Sequence, residues 1–205
     1  MAAALVLACG LGLTGAAGAA NSGDPDWPCV QRKVASLAVG LMWAGPAIAP
    51  EDLETWRRDP GVAALAPVLA VRRTTEAEAE KLIADFAAQS GDARDRKLAL
   101  LFAGAFSLID RERSEIISGI GRYARAQFAM ASGIDEAQVQ LSELLAIEAP
   151  DFDTQDRIEV MEDEILWKTR IYQDRQQSLT YVCETPVLLE KRAFWLARTI
   201  AGHAE

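Results

Sequence analysis

Histidine and cysteine are scarce in this sequence of 205 residues. It contains one histidine, His203, close to its end, and three widely spaced cysteines, Cys9, Cys29 and Cys183. Structural zinc, haem and iron–sulfur clusters need several His or Cys ligands. Serine and cysteine nucleophiles usually need a histidine base. We therefore expect no cofactor and no metal of these kinds, and the sequence singles out no catalytic residue.

Positive charge is also in deficit. The chain has 21 Lys and Arg against 30 Asp and Glu, which gives a formal net charge of −9. Nucleic-acid binding draws much of its affinity from Lys and Arg placed against phosphates, so we expect no nucleic-acid partner. Hydrophobic residues make up 50% of the chain and charged residues 25%, a composition typical of a globular protein. The length suits a single domain.

A long uncharged run occurs only at the start of the sequence. No charged residue lies between Ala2 and Ala20. We interpret residues 1–19 as a secretory signal peptide, because Ala17-Gly18-Ala19 fits the small-residue cleavage pattern. An uncleaved anchor and a lipoprotein acylated at Cys9 are the alternatives. No later uncharged run approaches the length of a membrane span, so we expect a periplasmic or secreted protein without a transmembrane anchor after cleavage.

Two cysteines remain after cleavage. In an exported chain, Cys29 and Cys183 are expected to oxidise to each other. Their spacing excludes a Cys-x-x-Cys redox motif, and two cysteines are too few for a zinc site. The sequence therefore predicts a structural disulfide, with two free buried thiols as the alternative.

Residues 20–205 are predicted to form one helical domain. Its N-terminal third, residues 20–74, is irregular because glycine and proline interrupt it, apart from a short helix at Glu51 to Arg58 and room for another turn or two within Val62 to Arg73, which Pro67 interrupts. The remainder carries apolar residues at helical spacing between capping signals. These signals predict a helix at residues 76–89 opened by a Thr75-x-x-Glu78 capping box, and one very long helix or two from a cap at Asp92 to a stop at Ser132-Gly133. They also predict helices at residues 136–148 capped by Asp135, from Asp153 or Thr154, and from Thr185-Pro186.

The fold class follows from this pattern. Ile158, Ile165, Tyr172 and Leu179 recur every seven residues, which indicates a seam against a neighbouring helix. We predict an all-α bundle of about six helices, with two long antiparallel helices, an irregular N-terminal segment and one disulfide.

Two motifs resemble ligand sites. Gly119 to Ala124 matches G-x-G-x-x-A, but it lies in a helical stripe with no strand before it, which favours close helix packing over dinucleotide binding. Acidic side chains near residue 150 partly match a calcium loop, although the turn glycine is replaced by Asp156. The weak metal candidates are Asp151, Asp153, Glu159 and Glu162.

The aromatic residues suggest a recognition surface. Trp27 and Tyr181 each lie two residues before a cysteine of the predicted disulfide, and Trp195 follows nearby. Large aromatic side chains are frequent in binding hot spots, although filling a core is the more common role. The leading hypothesis is an exported, non-enzymatic, protein-binding or assembly module whose partner is another envelope protein. A divalent-cation-binding protein and a carboxylate-based hydrolase are the alternatives.

Overall fold

The computed structural model describes residues 24 and 26–204, so the interpreted signal peptide, residues 1–19, lies outside the described residues. Within the described residues there is no strand, which confirms the all-α class, and the α-helices number five where the sequence predicts about six. They are α1 (Asp52–Thr55), α2 (Pro60–Ala70), α3 (Glu76–Gln89), α4 (Arg94–Leu145) and α5 (Phe152–Ala201), with 3-10 turns at Val39–Leu41, Trp56–Arg58 and Gly91–Ala93.

Helices α4 and α5 form a long antiparallel hairpin, as predicted. They are 52 and 50 residues long, which at 1.5 Å per residue gives each a length of about 75 Å. Tyr123 donates a hydrogen bond from Oη to the carbonyl of Arg175, and Gln127 donates from Nε2 to the carbonyl of Tyr172, both at 3.2 Å. Along the part of the chain that the structure describes, no helix is long and apolar enough to cross a membrane.

The main hydrophobic core lies where the N-terminal half of α4 meets the C-terminal turns of α5. Helices α1, α2 and α3 pack around this region. Gly104 in α4 is needed here, because a Cβ atom would lie 2.9 Å from two ring atoms of Trp56. The fully buried side chains of this core include Trp56, Leu69, Ile83, Leu98, Phe102, Ile109, Leu196 and Ile200.

A smaller apolar cluster lies further along the hairpin and contains the predicted disulfide. Cys29 and Cys183 are bonded, which confirms the predicted pairing. Their cluster joins Trp27 to side chains from both long helices, namely Ile117, Ile120 and Leu179. The disulfide therefore fastens the irregular N-terminal segment to the hairpin.

Helix α4 continues through positions where the sequence predicts a break. The predicted stop at Ser132-Gly133 and the predicted cap at Asp135 are wrong, since these residues lie inside α4. A Cβ at Gly133 would meet nothing within 4 Å, so this glycine costs only the conformational entropy that it adds to the unfolded chain. The predicted cap at Asp92 is also wrong, because the N-cap residue of α4 is Ala93 and it makes no side-chain capping bond.

Helix α5 continues through a proline. The predicted restart at Thr185-Pro186 is wrong, because Pro186 is buried inside the helix. Proline removes one backbone hydrogen bond, but Cys183 and Leu189 on either side are buried and hold both parts of the helix in place. The predicted start at Asp153 or Thr154 is also wrong, because the helix begins at Phe152 and its N-cap is Asp151.

Candidate protein-binding arm

The distal part of the hairpin extends beyond both hydrophobic clusters. We call residues 128–178 the arm. Gln127 of α4 and Leu179 of α5 are buried, but between them Ile134 is the only buried residue among those the structure describes. The arm is therefore a two-helix projection that no other part of the described chain covers.

One face of each arm helix meets the other helix. In α5 the seam residues predicted from the seven-residue repeat, Ile158, Ile165 and Tyr172, are half-buried. The hydrogen bond from Gln127 to Tyr172 sets the register, and it places Ile134 close to the level of Ile165. The seam keeps the helices together, but two helices alone leave their outer faces in water.

The outer faces carry large apolar side chains. On α5, Val160 and Trp167 are 61% and 63% exposed, and their separation of seven residues places them on the same helix face. Leu166 is 70% exposed beside them. On α4, Phe128 and Val139 are also more than half exposed. These residues are outside the seam, so contacts between the two helices do not explain their hydrophobicity.

The tip of the arm is also apolar. Leu145 and Ile147 are exposed at the end of α4, and Phe152 is 81% exposed at the start of α5. Ala149 lies between them with φ of 57°, a left-handed conformation that lets the chain reverse within a short loop. The turn thus holds three large apolar side chains at the end of the projection.

The tip turn is fixed by a capping bond. The carboxylate of Asp151 accepts a hydrogen bond from the backbone N–H of Thr154 at 2.8 Å. Hydrogen bonds to Thr154 lower the pKa of Asp151 below its ordinary value, so the capping carboxylate stays ionised. An anion at this position also complements the dipole of α5.

The four metal candidates all lie on the arm. Asp151 is the N-cap of α5, and Asp153, Glu159 and Glu162 follow along its first three turns, exposed to solvent. In the described part of the chain, no group of three or more His, Cys, Asp or Glu residues is arranged to hold a metal ion. Among the described residues, the four candidates are therefore not gathered into a common site.

The three aromatic candidates occupy different environments. Trp27 is buried beside the disulfide and donates from Nε1 to the carbonyl of Gln31 at 2.6 Å. Tyr181 is 75% exposed on the adjoining turn of α5. Trp195 packs against the main core, with the guanidinium of Arg192 5.0 Å from its ring centroid. Trp27 and Trp195 thus fill separate apolar clusters, and Tyr181 is the one that faces solvent.

The glycine motif lies in the middle of α4. A Cβ at Gly119 or Gly121 would contact only an arginine of the same helix, at 3.8 and 3.7 Å. Close packing against α5 therefore does not require these glycines. Gly119 instead lines an apolar groove of about 290 Å³ between the two helices, with Ile120, Tyr123 and Val182.

Sequence reasoning located the seam but missed the arm as a surface. Val160 and Trp167 are out of phase with Ile158 and Ile165, but the sequence does not show which of these residues another element covers. Comparisons of the chain with protein-family models, curated proteins and solved structures give no significant match. We therefore infer the function from the geometry of the arm.

Proposed function

We propose that this protein is an exported, non-enzymatic binding module that uses its arm to bind another protein of the cell envelope. The observation that carries the proposal is the set of eight large apolar side chains exposed on the arm. They are Phe128, Val139, Leu145, Ile147, Phe152, Val160, Leu166 and Trp167. Clustered exposed apolar surface is typical of protein-binding sites.

The division of the chain supports this role. We call the described residues outside the arm the body. The main core and the disulfide cluster hold the body together, and both lie outside the arm. A projection that adds almost no buried core contributes little to stability, whereas it presents surface far from the body. Helical projections with apolar anchors suit binding to a groove or a segment on a partner.

Export is supported by two observations. The first is the uncharged segment from Ala2 to Ala20, and the second is the disulfide between Cys29 and Cys183, a bond typical of oxidising compartments. In a Gram-negative host we expect the protein in the periplasmic fraction, with an intact mass that matches a chain beginning near Ala20. Cytoplasmic protein that retains Met1 would contradict this part of the proposal.

A site-specific photocrosslinker tests the binding surface. We would place it at Phe152 and, separately, at Trp167, and use Leu41 on the body as a control that is 82% exposed. The two arm positions should give a discrete adduct with the same second protein in the native envelope, and the control should not. Adducts from Leu41 alone, or adducts only with another copy of this chain, would contradict the proposal.

Purified proteins then give the quantitative test. After the crosslinked protein is identified and purified, Phe152→Ser and Trp167→Ser should each weaken its binding by about tenfold or more, as expected for aromatic anchors. Leu41→Ser is the matched control and should leave the dissociation constant unchanged. Equal affinities for the two arm variants and the wild type would show that the arm is not the binding surface.

A further inference from the structure

The net negative charge of the chain is concentrated on the arm. Residues 128–166 contain eleven carboxylates and one basic residue, Arg157, a net charge of −10. The rest of the chain then has nineteen acidic and twenty basic residues, a net charge of +1. The carboxylates are Asp135, Glu136, Glu143, Glu148, Asp151, Asp153, Asp156, Glu159, Glu162, Asp163 and Glu164.

Little of this charge is neutralised within the protein. Among the described residues, Glu164 is the one member of this set in an ion pair, with Lys168 at 2.6 Å. Asp151 is used as the cap of α5, and Glu136 accepts a hydrogen bond from Ser132 at 3.2 Å. The other carboxylates of the set have no cation within ion-pair distance in the described chain.

Acidic and apolar side chains share the same outer face. On α5, Val160 lies one turn after Asp156 and one turn before Glu164, and Trp167 lies one turn after Asp163. All five side chains are exposed. A partner that covers Val160 and Trp167 must therefore also come close to these three carboxylates.

We infer that the arm binds a cationic amphipathic segment, one that presents Lys or Arg beside apolar side chains. This inference rests on the proposed function and names the chemistry of the partner. The apolar side chains supply the buried contact, and the carboxylates select a partner of opposite charge and exclude one of like charge. An anionic lipid surface is excluded by the same repulsion.

A second copy of the chain fits this surface poorly. Two arms packed tip to tip would place like charges together. Two arms packed tip to root would set residues 128–166, with their net charge of −10, against the root of the other arm, where residues 167–178 of α5 carry Lys168, Arg170 and Arg175 against Asp174. The root has a net charge of +2, so most carboxylates would have no opposite charge in the pair.

Designed peptides test the inference directly. The probes are amphipathic peptides of about 18 residues, long enough for five helical turns, with the same leucine face and a polar face of Lys, Gln or Glu. Their binding to the full-length mature protein is measured by fluorescence anisotropy. The Lys peptide should bind at least about tenfold more tightly than the Gln peptide, and the Glu peptide should bind least.

Variants test whether the effect of peptide charge on binding arises from the carboxylates of the arm. The combined change Asp153→Asn, Asp156→Asn and Asp163→Asn neutralises three exposed carboxylates of the arm that make no ion pair, and it should weaken binding of the Lys peptide about tenfold and reduce its dependence on salt. The matched control neutralises three exposed carboxylates of the body that make no ion pair, Glu54, Glu80 and Glu112, and should leave binding unchanged.

The outcomes separate this inference from the proposed function. If the Gln peptide binds as tightly as the Lys peptide, and Trp167→Ser weakens both, the inference is wrong and the arm remains a protein-binding surface. If Trp167→Ser and Phe152→Ser leave binding of the Lys peptide unchanged, the amphipathic segment is excluded. An arm-dependent dimer that shows no affinity for the Lys peptide would overturn the inference in favour of self-association.

Discussion

Removal of the disulfide gives the most direct test of how the fold is held together. The bond joins residues 154 positions apart and closes a loop that contains almost the whole described chain. The loop-entropy relation gives a ceiling of roughly 5 kcal/mol for a loop of this length, and losses of native disulfides usually lie between about 2 and 5 kcal/mol. We expect the double change Cys29→Ala and Cys183→Ala to lower the free energy of unfolding by this amount.

Alanine is the right substitute because the site is apolar. Cys29 is 2% exposed and packs with Trp27, Ile117, Ile120 and Leu179. Serine would leave a hydroxyl without a partner in this cluster, which would add a desolvation cost unrelated to the crosslink. Alanine keeps the environment apolar, so the measured loss reports the crosslink and a small packing term.

The structure also predicts which part loosens first. Without the bond, residues 26–37 are still held to α4 by four polar contacts: Arg113 to the carbonyl of Val34, Ser114 to the carbonyl of Ala35, the backbone N–H of Leu37 to Asp110, and Arg125 to the carboxylate of Asp26. Further along the chain, Trp43 stacks on Phe102 of the main core, so residues 26–37 are the part that depends most on the disulfide. Amides in this segment should therefore lose exchange protection before those of the core helices.

The assay combines denaturant unfolding, followed by circular dichroism, with hydrogen exchange. The wild type under reducing conditions serves as a chemical counterpart of the double alanine variant. Equal unfolding midpoints for the oxidised protein and the variant would refute the reasoning. Loss of protection in the main core before the N-terminal segment would refute the account of local order.

Two further predictions concern the main core. Gly104→Val should lower the free energy of unfolding by about 2–4 kcal/mol, because the valine side chain would overlap the ring of Trp56. Gly133→Ala, in the same helix, should be neutral or stabilising. Denaturant unfolding of both variants measures the difference. The pKa of Asp52 lies below its ordinary value of 3.8 because Arg96 donates two hydrogen bonds of 2.6 Å to its carboxylate. The stability that this pair contributes should be fully present above pH 3.8 and should be lost as the pH falls through the lowered pKa, and Asp52→Asn should remove that part of the acid dependence.

Local signals in the sequence were reliable where the interaction itself is local. At the start of α3, the hydroxyl of Thr75 accepts a hydrogen bond from the backbone N–H of Glu78, and the carboxylate of Glu78 accepts one from the backbone N–H of Thr75, as the capping-box pattern predicts. The pairing of Cys29 with Cys183 was predicted because the chain offers no other partner once Cys9 is removed. These features depend on a few residues and hardly on the rest of the fold.

Helix ends within the hairpin were predicted less well because tertiary contacts determine them. Pro186 breaks helices in general, yet here the buried residues on either side outweigh one missing hydrogen bond. Gly133 is tolerated in α4 for a similar reason, because α5 packs along the helix on both sides of it.

The arm was beyond sequence reasoning for a further physical reason. Val160 and Trp167 are unremarkable as hydrophobic residues of a helix, and their meaning depends on what lies against them. That information appears only when α4 and α5 are seen to extend past both apolar clusters. The acidic residues are visible in the sequence, where they match a calcium loop only in part, but the sequence does not show that exposed apolar side chains lie beside them.

Salt should weaken the binding of the arm without weakening its folding. The arm, residues 128–178, has twelve carboxylates and four basic residues, a net charge of −8, so screening of the repulsion within it should leave its helices as stable as before or more stable. The same screening should weaken attraction to a cationic segment. Hydrogen exchange of arm amides, measured beside peptide affinity at low and high salt, distinguishes the two effects. If arm amides lose protection in high salt, then weaker binding would reflect unfolding of the surface and the electrostatic account would be wrong. Retained protection together with lower affinity would show that the carboxylates contribute to binding of the partner and do not stabilise the fold of the arm.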